Sequence, residues 1–346
     1  MLLFPRQIVG LFLQPGESFE QAVRYLSIVV FGYLFTAVDN VFAITIKAGE
    51  KTWLPMLSGF VSIGVNTFFN WVFIFGHFGV PAMGAQGAAI ATVLSAAVSM
   101  LMNMSFAYGL RLPAGAKPRE WLCREKGFFG RFMKTVLPVI INEGLWGIGV
   151  TIYSVYYGRM GDVAVATMGV CATINDLVWV AVFALSNATA IIIGKTLGAG
   201  DRDQAYLYGK RLLAGAVCIG ILLGVLVIFI RKPLVGVFGG LSDQVRQQAQ
   251  TILMIGGATI WFRAFNTINI VGILRSGGDT LFSMVLDVGT LWLVGVPLTG
   301  LAALVFHWPL NYVYLCTFVE EAIKVAIGIP HFQSRKWMNV LTEEQS

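Results

Sequence analysis

The chain has 346 residues, of which 57% are hydrophobic and only 12% charged, with a formal net charge of +6 and a mean hydropathy of +0.75. So apolar a composition excludes a soluble globular domain and predicts an all-α polytopic membrane protein embedded in a lipid bilayer. The alternating strands of about ten residues that mark an outer-membrane barrel are missing, and the positive charges fall in loops, which argues against a nucleic-acid partner.

Residues 1–20 begin within what reads as the last turn of a helix and pass through a Pro15-Gly16 loop. A basic start, an apolar run and a cleavage site do not occur there in the order of a signal peptide. Nine apolar segments follow, at 22–46, 53–76, 85–110, 129–157, 163–195, 207–231, 247–274, 281–304 and 310–330. Each is long enough to cross ~30 Å of hydrocarbon as a helix. The polar stretch 112–127, with Pro113 and Pro118 among basic residues, reads as a linker, and 334–346 as a short polar tail.

If the connections alternate sides, one side collects Lys47, the residues from Arg111 to Lys134, those from Lys195 to Arg211, Arg275, Arg335 and Lys336. The other side holds Arg6, Arg24, Arg159, Arg231, Lys232 and Arg246. Basic residues favour the cytoplasmic face, so the C-terminus and the linker are placed in the cytoplasm.

The turn Ile273-Leu274-Arg275-Ser276-Gly277-Gly278-Asp279-Thr280 has an echo upstream in Thr45-Ile46-Lys47-Ala48-Gly49-Glu50-Lys51-Thr52. Leu234-Val235-Gly236-Val237-Phe238 is similarly echoed by Ile8-Val9-Gly10-Leu11-Phe12. Two echoes in one register suggest duplicated halves, common in secondary transporters. Within the second half, Leu234 to Phe238 follows three spans, whereas the matching Ile8 to Phe12 follows none, so an N-terminal truncation lacking about three helices is expected.

Acids inside apolar spans carry the sharpest functional signal, because a carboxylate near the bilayer centre is costly and usually faces a polar cavity. Glu143 lies deep in a helix broken by Pro138, with Asn142 beside it and Trp146 one turn on. The proline cannot complete the backbone ladder, so a freed carbonyl could help seat a cation. Asp176 is similarly deep, next to Asn175 and within a turn of Trp179. Asn266 and Asn269 share a helix face flanked by Trp261 and Phe265. Carboxylates from two helices with amide oxygens from a third could coordinate Na⁺, or the carboxylates could carry H⁺.

Other charged positions read as structural. Asp287 is placed near the interface, and Glu320 and Glu321 precede Lys324 at spacings that give internal ion pairs. Asp39 is a further candidate acid, and Arg263 could pair with an acid or face a cavity. The Gly84 to Thr92 run offers a small face for close helix approach. Cys123, Cys171, Cys218 and Cys316 are isolated, and His77, His307 and His331 lack ligand spacing, so no metal site is indicated. No enzyme constellation is found: there is no phosphate-binding loop, no Ser-His-Asp set at plausible depth and no HExxH.

Four stretches carry a resemblance to the multidrug and toxic compound extrusion (MATE) transporters: Asn70 to Gly76 running into Gly84 to Thr92; Leu137-Pro138 with Glu143; Gly198-Ala199-Gly200-Asp201 followed by Ala205; and Gly272 to Thr280. The resemblance implies a MATE-like bundle of twelve helices in two lobes around a cavity, exporting amphipathic, often cationic compounds in exchange for Na⁺ or H⁺. On that map, 1–111 keeps the last three helices of the first lobe, 112–127 is the cytoplasmic linker, 128–333 is the six-helix second lobe and 334–346 a cytoplasmic tail. Glu143, Asp176, Asn266 and Asn269 become the cation-coupling candidates, with Asn142, Trp146, Asn175, Trp179, Trp261 and Phe265 lining the substrate cavity.

Glu143 lies closer to its proline than the family usually places its acid. Asn266 or Asn269 stands where the family often has an Asp. The expected protein is therefore a monomeric, multi-pass antiporter of the cell membrane with no cofactor beyond its coupling ion. A lipid-linked oligosaccharide flippase of the same superfamily, or an inactive membrane fragment or scaffold, are the alternatives.

Overall fold

The computed structural model describes residues 5–10, 16–112, 115 and 128–339. Leu11 and Phe12 of the upstream echo, Cys123, most of the 112–127 linker and the last residues of the tail lie outside them. Among the described residues the chain is helical, without strands, and divides into two compact units, Met1–Arg124 and Glu125–Ser346.

The first unit contains α1 (Pro5–Gly10), α2 (Glu17–Ala48), α3 (Trp53–Phe75) and α4 (Ala85–Gly109). Helix α4 packs against both α2 and α3, and its small face makes the approach close. A Cβ on Gly87 would sit 2.7 Å from the Phe73 carbonyl, and Ala89 and Ala91 are fully buried. Polar side chains cross this apolar packing in a ladder. Ser99 Oγ and Asn103 Nδ2 donate to the two carboxylate oxygens of Asp39 at 2.8 and 2.7 Å, and Ser58 Oγ donates to Asn103 Oδ1 at 2.7 Å. Asp39 is thus satisfied within its own unit.

The second unit runs through α5 (Phe128–Arg159), α6 (Asp162–Gly198), α7 (Arg202–Gly236), α8 (Asp243–Thr267), α9 (Thr280–Thr290), α10 (Val296–Gly300) and α11 (Leu310–Gln333). Asp201 caps α7 by accepting from the Gln204 N–H, and Ser242 caps α8 by accepting from that of Val245. Helices α7 and α8 press together where Gly224 meets the Gly257 carbonyl, with no room for a Cβ.

The predicted 281–304 span is one helical stretch with a broken register: π-helical turns at Leu291–Gly295 and Leu301–Val305 flank α10. Pro297 lacks an N–H and crowds the preceding turn, which accounts for the shifted ladder at Leu291–Gly295. A third π-helical run, Ile268–Leu274, continues α8.

Counting such stretches together, nine long helices are present among the described residues, and seven are long and apolar enough to cross a membrane. The two that fall short, 243–274 and 310–333, carry Arg263, Glu320, Glu321 and Lys324. Helix α8 is packed by α6, α7 and α11, and α11 by α8, α9 and α10. Their charged side chains lie on the parts of α8 and α11 that pack against other helices.

The start of the short polar tail packs against the second unit. Trp337 is fully buried, and its indole donates to the Phe332 carbonyl at 3.0 Å. The Asn339 N–H donates to the Gly277 carbonyl at 2.8 Å. A Cβ on Gly277 would strike Trp337, and Gly278 has φ +84°. The Arg275 to Asp279 turn thus uses adjacent glycines for close approach and for a left-handed residue.

Candidate functional site

The second unit holds a charged network between α5, α8, α9 and α11. Lys324 extends from α11, only 3% exposed, and its Nζ donates to Asp287 Oδ1 on α9 at 2.8 Å. Glu320, one turn back on α11, lies 3.7 Å from the same ammonium. On α5, Asn142 Nδ2 donates to Asp287 Oδ2 at 3.1 Å, and the Tyr153 hydroxyl donates to Glu320 Oε2 at 3.1 Å. Gly295, closing a π-helical turn, provides the space: a Cβ there would overlap both the Glu320 carboxylate and the Tyr153 hydroxyl.

A second limb joins at Glu321. Asn266 Nδ2 on α8 donates to the Glu321 carboxylate at 2.7 Å and to its backbone carbonyl at 2.9 Å. Arg263 Nε lies 3.8 Å from Glu321, and its guanidinium sits 4.7 Å from the centroid of the Phe318 ring. The network therefore sets three carboxylates, Asp287, Glu320 and Glu321, against two cations, Lys324 and Arg263. Asn142 Oδ1, Asn266 Oδ1 and Thr299 Oγ1 are buried polar atoms without a hydrogen-bond partner, as are both amide atoms of Asn269.

The structure changes several expectations. Asp287 is not an isolated structural acid: its carboxylate is 14% exposed and paired with a buried lysine. Lys324 does pair with Glu320, but its shorter contact is to Asp287, while Glu321 turns toward Asn266 and Arg263. Glu143 does not meet Asn266; it pairs with Arg275, Nη1 to Oε1 at 2.7 Å, and is itself 58% exposed. The long arginine side chain reaches back from the turn to a carboxylate on the neighbouring helix.

Asp176 is exposed and has no hydrogen-bond or ion-pair partner among the described residues, and Asn175 beside it is half-buried. Of the proposed aromatic lining, Trp146 is exposed, while Trp179 and Trp261 are half-buried. Phe265 is buried, in the apolar cluster that also holds Ile268 and Ala264. Asn269 is fully buried, with Nδ2 against Gly328, where a Cβ would sit 2.6 Å away.

Sequence reasoning found Asn142 and Asn266 but assigned Lys324, Glu320 and Asp287 to structure, and it missed Tyr153 and Gly295. The spacing of Glu320, Glu321 and Lys324 was the available signal. The partner on α9 was invisible to it, because nothing in local spacing identifies a contact between separate helices.

Comparisons with known proteins agree with this architecture. A family model described as MatE matches residues 1–72 and 138–313. "Probable multidrug resistance protein NorM" of Thermotoga maritima is 23% identical over 335 residues, spanning 95% of this chain and 71% of that protein. The protein of the same name in Brucella suis is 29% identical over 293 residues, spanning 79% of this chain and 58% of that protein. Among solved structures, a MOP superfamily transporter from Pyrococcus furiosus superposes with TM-score 0.82 at 18% identity, covering 99% of this chain and 75% of that one. An outward-facing multidrug resistance MATE family transporter of the MOP superfamily gives TM-score 0.82 at 17% identity, covering 99% and 77%. At such identities the likeness establishes the fold.

Proposed function

The chain belongs to the MatE family of membrane transporters, and from that premise we propose that it is a cation-coupled antiporter exporting drugs or other amphipathic, often cationic organic compounds. It is a multi-pass membrane protein and not an enzyme. The observation that carries the reading is the charged network linking α5, α8, α9 and α11 inside the second unit. Charges held among membrane helices are expensive, and their usual roles are ion coupling and substrate passage.

The network has one more carboxylate than it has cations, so it can accept one monovalent cation, Na⁺ or H⁺, and reach neutrality. Taking up that charge would change the pairing between α11 and its neighbours, which is the kind of two-state event alternating access requires.

Glu143 and Asp176 remain candidates for cation attraction or coupling. Asp176 lacks a partner among the described residues, and a lone carboxylate in a membrane helix is stable only against a polar surface, not against hydrocarbon. Asn175, Trp146, Trp179 and Trp261 are the residues proposed to meet a flat organic cation. The basic residues at Lys47, Lys195, Arg275 and Arg335 support a cytoplasmic C-terminus.

A flippase for a pyrophosphate-linked sugar would need free basic groups. Arg263 and Lys324 are already engaged by Glu321 and by Asp287 with Glu320, which counts against that reading.

The test is drug susceptibility and fluorescent-cation efflux in a pump-deficient strain expressing the protein. Resistance and efflux that collapse when the ion gradients are dissipated are expected. Absence of efflux for every cation tested, with the protein present in the membrane, would refute the reading.

A further inference from the structure

We infer that the coupling ion is a proton, and that Glu320 holds it through a hydrogen-bond chain to Tyr153 and Thr299. This rests on the proposed antiport and goes beyond it by naming the ion and its seat.

The three carboxylates of the network are unequally served. Asp287 receives both a 2.8 Å bond from Lys324 and a 3.1 Å bond from Asn142. Glu321 receives two bonds from Asn266, one of them to its carboxylate at 2.7 Å, and faces Arg263. Glu320, 5% exposed, has Lys324 only at 3.7 Å and a single hydroxyl donor, Tyr153. It is the most weakly compensated of the three and the natural place for the surplus negative charge to be neutralised.

The groups around it can be named helix by helix. Lys324 and Glu321 stand on its own helix, Tyr153 and Tyr157 on α5, Arg263 on α8 and Asp287 on α9. The π-helical turn ending at Gly295 contributes only space, and α10 contributes Thr299.

Geometry favours a proton over Na⁺. A sodium ion needs a shell of oxygens, whereas a cation set beside Glu320 would lie next to the Lys324 ammonium and be repelled by it. A proton adds to one carboxylate oxygen and needs no shell.

The surroundings also offer two settings for one hydroxyl. With Glu320 ionised, the Tyr153 hydroxyl donates to it, as observed. Once Glu320 carries a proton, its new O–H can donate to the Tyr153 oxygen. The Tyr153 hydroxyl then rotates toward Thr299 Oγ1, a fully buried atom beside it that has no partner. The proton comes from water, one O–H bond forms at the carboxylate, and no other covalent bond changes. The unpartnered Thr299 oxygen is thus the acceptor for the protonated setting.

The experiment is infrared difference spectroscopy of the purified protein in lipid nanodiscs, titrated with pH in sodium-free buffer, reading the carbonyl stretch of a protonated carboxylic acid. A band that grows as pH falls is expected in the parent, lost in Glu320→Gln and retained in Glu321→Gln and Glu143→Gln. Tyr153→Phe and Thr299→Val should displace the midpoint of the band, while Thr290→Val, whose hydroxyl serves its own helix backbone, should leave it in place. These variants keep the inference testable if Glu320→Gln fails to fold.

A band that persists in Glu320→Gln, no band in the parent, a band removed by Na⁺, or midpoints unmoved in Tyr153→Phe and Thr299→Val would each overturn it. The readout needs no transported compound. An intact Glu320 band without export would defeat the antiport reading, whereas gradient-driven export without that band would defeat only the proton seat.

Discussion

Lys324→Met removes the cation on which two carboxylates depend while keeping most of the side-chain volume. The ammonium lies 2.8 Å from Asp287 and 3.7 Å from Glu320; at an effective dielectric of ~20 these attractions are worth roughly 6 and roughly 4 kcal/mol before desolvation. Burying the ammonium returns much of that gain, and breaking a buried pair by deleting one partner typically costs about 3 to 5 kcal/mol net. For a unit of this size, each kcal/mol moves a thermal midpoint by about 2 to 4 °C, so a fall on the order of 10 °C is expected.

A tryptophan-fluorescence melt of the purified protein in detergent reads it. The double variant Lys324→Met with Asp287→Asn should recover at least half of the loss, because it deletes the charge left unpaired. If the single variant melts within about 2 °C of the parent, or the double variant is no more stable than the single, Lys324 does not hold the network together.

Three further outcomes follow from the same contacts. Gly295→Ala places a methyl in the space shared by Glu320 and Tyr153 and should abolish efflux and lower the melting temperature, whereas Gly289→Ala, with nothing within 4 Å of its Cβ, should do neither. Glu143→Gln breaks a pair whose carboxylate is 58% exposed; such pairs contribute about 0 to 1 kcal/mol, so the melt should move by no more than about 3 °C. Cation efflux should then fall at least about tenfold if Glu143 serves transport, and unchanged efflux would remove it from the site. In the first unit, Asp39→Asn turns one of the acceptors for Ser99 and Asn103 into a donor. A loss of about 1.5 to 3 kcal/mol is expected from charge-assisted bonds of this kind, read as a lowered melt, and an unchanged melt would deny the ladder a structural role.

The sequence made the helices legible because the bilayer imposes a length and a polarity that hydropathy reads directly. The predicted spans at 53–76 and 85–110 agree with α3 and α4 to within a residue or two at each end. What remained hidden depends on reach and rotation. Arg275 read as an orienting charge in a turn, yet its side chain reaches Glu143, far away in sequence. Asp287 read as interfacial because its distance from the turn was counted along one helix, whereas its environment is set by a lysine on another. Trp337 read as part of a polar tail, because a single aromatic among charges gives no period. Its burial depends on a glycine surface at Gly277 that exists only once the turn has formed.

The same contrast explains why the two helices that carry these inward charges matter most. Segments 243–274 and 310–333 carry charges that lipid would not tolerate, so those charges persist because they face neighbouring helices and meet one another. Under the proposed antiport, such packing would make stability and ion coupling interdependent. The carboxylate left with the poorest partners weakens the bundle when charged, and is therefore able to bias it when a cation arrives. Glu320 meets that description. Asp287 does not, because its two donors engage both of its oxygens and hold α5, α9 and α11 together.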